Sequence, residues 1–150
     1  MSDSSSQTRL LQDIVRRESR SLLQYVTESF PWTTPEERAA LAEFQQLAAE
    51  ERDGTAALGR YLASCRLVVP YLGSFPMEFT SINYVSLEHL FPLLAEHAKL
   101  ALDRLEKDLE EIEDLEARNL VQNMVDTKRR HLQRLESLAA AYPETHSTVR

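Results

Sequence analysis

Along most of this chain apolar residues recur at spacings of three and four, the period of a helix with one buried face. The first run predicts a helix from about Thr8 to Phe30, with Leu11, Ile14, Val15, Leu22, Tyr25, Val26 and Phe30 inside and Pro31 as its stop. A second start is written in Thr34-Pro35-Glu36-Glu37, where a threonine cap, a proline in the first turn and acids at the positive helix end coincide. That helix carries Leu41, Phe44, Leu47, Ala48, Leu58, Tyr61, Leu62 and Cys65 on one face. A third begins near Ser86 and lines up Leu87, Leu90, Phe91, Leu94, Ala101, Leu105, Leu109 and Ile112. Pro92 is expected to kink it or to delay its start to about Phe91. The fourth runs from Leu115 to Ala141, with Leu120, Val121, Met124, Leu135 and Leu138 inside and Pro143 beyond its end.

Between Leu67 and Val85 this periodicity stops. The stretch LVVPYLGSFPMEFTSINYV holds two prolines, a glycine and several aromatics, and is too apolar for a free linker. It is expected to lie extended along the outside of the helices, with no independent sheet. It is also far longer than two antiparallel neighbours need. The connections therefore run short, long, short. The predicted fold is all-α: two antiparallel helical hairpins joined by a long crossover between helices two and three. One domain is expected over residues 8–142, with tails at 1–7 and 143–150.

That order of helices resembles the ferritin-like superfamily, in the manner of small rubrerythrin-type four-helix bundles, over nearly the whole folded chain. In metal-binding members two helices each give an inward glutamate and two each give a Glu-x-x-His pair, because residues three apart share a helix face. Each helix here can be set against that pattern. Glu18 interrupts the first stripe near its midpoint, and Glu51 interrupts the second. In LAAEERDG, however, Gly54 stands where the family histidine belongs, and the alternative pair Glu50-x-x-Asp53 lies on a less apolar face. The third helix brings His97 only to the margin of its stripe, with Glu96 pointing outward. In TKRRH of the fourth helix, His131 matches the family histidine, while Lys128 stands where the glutamate should be.

The resemblance therefore implies a degenerate metal centre. The expected replacement is a buried polar network of Glu18, Glu51, Lys128 and His131, with His97 at its edge and the lysine in the place of metal. No cofactor is expected on this reading, and the role is one of binding or scaffolding. The alternative is a metal-dependent oxidoreductase or metal-binding protein that holds iron or manganese through a reduced site of Glu18, Glu51 and His131. Tyr25 and Tyr61, also on inward stripes, are read as core packing.

Composition supports the helical reading, since the 150 residues include only three glycines and six prolines. A net charge of −7 argues against nucleic acid as a partner, and the short basic run Lys128-Arg129-Arg130-His131 is read as a helix face. No stretch approaches the ~20 apolar residues that span a bilayer, and MSDSSSQTR has no apolar signal core. With a single cysteine, read as a small core residue, the setting is expected to be cytoplasmic. No phosphate-binding glycine loop, Cys-x-x-Cys pair or serine elbow is present. The aromatic segment over residues 67–91 is expected to offer a surface to a second copy or another protein.

Overall fold

The computed structural model describes residues 4–29, 33–82 and 85–143. The expected positions of Phe30, Pro31 and Trp32, residues 1–3 and 144–150 of the two tails, and Asn83-Tyr84 lie outside them. Five α-helices follow one another: α1 (Ser4–Ser19), α2 (Leu22–Ser29), α3 (Arg38–Ser64), α4 (Leu87–Glu111) and α5 (Leu115–Ala141). Two 3-10 turns, Pro35–Glu37 and Met77–Ile82, complete the order, and among the described residues no strand forms an element. The architecture is an all-helical four-helix bundle in which α1 and α2 together make one arm.

The single first helix expected from periodicity is thus two, and it starts at Ser4 rather than Thr8. The break needs neither glycine nor proline. Ser21 accepts the Gln24 N–H at 3.2 Å, which caps α2 and ends the continuity of α1. The start of α3 follows the sequence closely: Glu37 accepts the Thr34 N–H at 2.8 Å across the 3-10 turn. Its end is a Schellman-type stop. Arg66 adopts φ 59°, and Leu67 N–H reaches back to the Leu62 carbonyl at 2.9 Å. That turn leaves Cys65 exposed, so it is not the core residue its spacing suggested.

In α4 Ser86 is the cap, accepting the His89 N–H at 3.3 Å, and the helix continues through Pro92 instead of restarting at Phe91. Pro92 is exposed, so its ring meets solvent rather than a neighbouring helix. The inward line then shifts from Ala101 to Ala98 and Leu102. Asp114 caps α5 by accepting the Ala117 N–H at 2.9 Å, and Arg118 donates to the Leu109 and Ile112 carbonyls that close α4. The connection from α3 to α4 is held against the first arm: Gln12 donates to the Val68 carbonyl at 2.7 Å, Arg20 to the Gly73 carbonyl at 2.9 Å. Phe75 and Phe79 pack on Tyr25.

The buried apolar residues form two clusters. One gathers Val26, Phe44, Leu90, Phe91 and Leu135. The other gathers Ile14, Leu58, Leu62, Leu105 and Val121. Along each arm, the residues between the two clusters are where the polar groups fall.

Candidate functional site

Glu18, at the last turn of α1, is 2% exposed; Glu51, halfway along α3, is 6%; Lys128 and His131, one turn apart on α5, are 5% and 1%. Helical periodicity alone puts Lys128 and His131 inward, because they continue the line from Val121 and Met124 to Leu135 and Leu138. The α1–α2 break matters here: it sets the Ser21 hydroxyl at the level of Glu51.

Lys128 is the centre of the layer. Its ammonium bonds one oxygen of Glu51 and lies 3.2 Å from Glu18 Oε1. The Glu18 contact is ionic, without the alignment of a hydrogen bond, since that oxygen has no hydrogen-bond partner among the described residues. The second Glu51 oxygen accepts from the Ser21 hydroxyl at 2.6 Å and from the Gln24 amide at 2.8 Å. Gln24 also donates to the Ala48 carbonyl, and its own oxygen accepts from Arg52. On the other side, Arg17 donates to Glu18 at 3.3 Å and to Asp108 at 2.8 Å. Two carboxylates, Glu18 of α1 and Glu51 of α3, therefore meet one buried cation on α5, and Gln24 of α2 and Ser21 before it hold the second of them.

The charge states follow. Burial would push the Lys128 ammonium down, but Glu51 and Glu18 together hold it above the ordinary lysine range. Burial would likewise lift Glu51, and the ammonium, the Ser21 hydroxyl and the Gln24 amide bring it below the usual carboxylate range instead. His131 differs. Burial dominates and depresses its imidazole, against the opposing hydrogen bond to Glu50. That bond, from His131 Nε2 to Glu50 Oε1, is 2.9 Å long. A carboxylate can only accept, so Nε2 carries the hydrogen and Nδ1 is left as an acceptor. Nδ1 is buried and has no hydrogen-bond partner among the described residues.

His97 does not join the network. It is exposed on α4, and its ring stands edge-on to Phe79 at 5.9 Å, because the inward line of that helix runs through Leu94 and Ala98. Gly54 lines a void of about 10 Å³ with Glu18, Met124, Lys128 and His131, so it does lie beside the layer. Periodicity missed three participants. Glu50, read as part of an exposed face, is half-buried and orients His131. Ser21 and Gln24 could have been found from Ser21-Leu22-Leu23-Gln24, a Ser-x-x-Gln start signal inside the long first run. Tyr61 packs against the second apolar cluster as expected, and its hydroxyl also donates to Asp114 at 2.6 Å, a bond that holds the phenol above its ordinary range.

Above the layer opens a cavity of about 470 Å³, walled by α1, α2, α4, α5 and the long connection. Glu18, Ser21, Glu51, Lys128 and His131 reach it from the bundle, while Arg16, Arg17, Arg20 and Arg104 line it as well. The family-model, curated-protein and solved-structure comparisons give no match to this chain. The site therefore has to be judged by its own chemistry.

That chemistry fits a divalent metal poorly. Among the described residues, no three His, Cys, Asp or Glu side chains gather in a metal-holding group. His131 Nδ1 accepts no hydrogen bond among the described residues, and Glu18 Oε1 faces an ammonium at 3.2 Å. A cation bound by both would lie within a few ångströms of that charge in a site of low polarity. Also among the described residues, no helix is long and apolar enough to cross a membrane.

Proposed function

We propose that this protein is a metal-independent, ferritin-like binding protein in which the Lys128 ammonium stands where a metal would otherwise balance Glu18 and Glu51. The observation that carries this reading is the placement of one buried ammonium against both carboxylates. Cations compete for the same oxygens, and the two carboxylates hold the ammonium between them above the ordinary lysine range.

Helix directions support the ferritin-like part of the reading. Contacts between α3 and α5 run Tyr61 to Asp114, Glu51 to Lys128 and Glu43 to Arg134, an antiparallel order. Gln24 to Ala48 at one end and Leu11 with Leu58 and Leu62 at the other support the same order for the first arm and α3. Gln7 to the Glu111 carbonyl sets the start of α1 at the end of α4. Two antiparallel hairpins with a lengthwise crossover satisfy all of these. On that crossover Val68, Tyr71 and Met77 are exposed, which favours a protein-contact role for the segment.

The test is metal content after expression with iron and manganese supplied, for the wild-type protein and for Glu51→Gln. Substoichiometric metal in both is expected. A wild-type protein that carries one or two ions per chain, lost in Glu51→Gln, would replace this reading with the metal-binding one.

A further inference from the structure

Charges of both signs line the 470 Å³ cavity, whose volume lies within the range of small-molecule sites. Those that reach it from the bundle are already matched to one another. Glu51 and Glu18 share Lys128, Glu18 also meets Arg17, and Arg17 meets Asp108. A charged ligand group set among them would meet a like charge together with an opposite one, after losing its own water. Arg16 is paired with Asp13, and Arg20 is bonded to the Gly73 carbonyl and stacked on Phe75. Arg104 is exposed, with no ion-pair partner among the described residues, and a single contact to a cation in water is worth little. The rest of the wall is apolar, with Leu22, Leu23, Phe79, Leu94 and Leu135 all buried. Such walls favour a neutral, largely apolar occupant.

One acceptor in the polar layer is unspent. His131 Nδ1 is buried and accepts no hydrogen bond among the described residues. Nε2 is held by Glu50, which borders the small void and not the large cavity, so the ring edge that carries Nδ1 is the one left to the cavity. A buried acceptor without a partner is costly, and a ligand that donates to it removes that cost. Lys128 lies one turn away on the same inward face of α5 and lines the same cavity. Two of its three ammonium hydrogens face carboxylates, Glu51 and Glu18, which leaves one to donate. A hydroxyl answers both groups, because it gives a hydrogen to Nδ1 while accepting one from the ammonium. A carboxylate only accepts and an ammonium only donates, so neither can do both. We infer that the cavity binds a neutral apolar molecule carrying a hydroxyl, which donates to His131 Nδ1 and accepts from Lys128. This deepens the proposed binding role and rests on a layer held by lysine rather than by metal.

The probes are n-octanol and its isomer methyl heptyl ether, with octanoate and octylammonium as charged analogues, titrated by calorimetry into the intact chain with and without EDTA. Octanol is expected to bind saturably in both conditions, and the other three about fivefold or more weakly, the worth of one hydrogen bond. These comparisons use the wild-type protein and do not depend on a variant that folds. In proton–nitrogen correlation spectra the His131 Nδ1 resonance should move with octanol and stay in place with the ether. Ala101→Trp, at the half-buried wall of α4, should abolish octanol binding while circular dichroism stays helical. No saturable binding of octanol, equal affinity for octanol and the ether, or a charged analogue that binds more tightly would overturn the assignment. So would a His131 resonance indifferent to octanol, or octanol binding unchanged in Ala101→Trp. Octanol binding that requires added iron or manganese would instead overturn the metal-independent reading on which it rests.

Discussion

Lys128→Met removes the cation and keeps most of the apolar stem. Glu51, its side chain 5% exposed, is then left without a counter-charge, and Glu18, 3% exposed in the same layer, keeps only Arg17. Taking one partner out of a buried ion pair costs about 3–5 kcal/mol, a large part of the ~5–15 kcal/mol that holds a typical domain together. For a chain of this length the melting temperature should fall on the order of 10 °C. The pH dependence is the sharper signature. In the wild-type protein the depressed Glu51 contributes stability that is present above its unfolded value of 4.5 and is lost as pH falls through the folded one. The raised Lys128 contributes stability present below 10.5, lost only as pH rises through its folded value. The network is therefore intact across the neutral range. Without the lysine, one carboxylate escapes its neighbour by taking a proton, so the variant's deficit should shrink as the solution is acidified. Urea denaturation followed by circular dichroism at about pH 5.5 and about pH 8 measures this directly. A triple variant, Glu18→Gln with Glu51→Gln and Lys128→Met, should recover most of the loss, because no uncompensated charge remains. A single variant within about 1 kcal/mol of wild type at neutral pH, with the same pH slope, would refute the account of a buried pair.

Two further outcomes test the surroundings of the layer. Burial holds His131 below its ordinary 6.5, so the unfolded chain takes up that proton first; stability should be complete above about 6.5 and fall as pH drops below it. Thermal melts of His131→Leu from about pH 5 to about pH 8 should lack that fall, whatever their absolute midpoint; an unchanged slope would detach His131 from it. Gly54→Ala should stabilise the protein by up to about 1 kcal/mol through helix propensity. A Cβ there would meet Met124 Cγ at 3.3 Å, but Met124 lines the small neighbouring void and has room to give. Destabilisation in urea titrations would show that the methionine is pinned.

The elements legible beforehand were those whose signals are local. Thr34-Pro35 and Ser86 began helices as their side chains dictate, and α5 spans the residues its periodicity outlined, Leu115–Ala141. Inward placement of Glu18, Glu51, Lys128 and His131 was also legible, because each interrupts an otherwise apolar line on its own helix. Errors came where two local signals competed. The apolar period across Arg20-Ser21 continued without a gap, and so concealed the serine cap that divides α1 from α2. Cys65 fell on the stripe of α3, yet a left-handed Arg66 turned the chain away one residue later. His97 sat close to the stripe of α4, and a shift of the inward line to Ala98 was enough to expose it.

By itself, then, the sequence determined the helices, their inward faces and the presence of charge at mid-stripe, since each depends on residues within a turn or two of one another. Tertiary structure decided the partners. Lys128 meets both Glu18 and Glu51, Glu50 rather than a solvent shell receives His131, and Ser21 with Gln24 completes Glu51, all across separations of 27 to 110 residues. No local pattern encodes such pairings. They arise because a buried charge must find its counter-charge among whatever groups packing brings to the same level of the bundle.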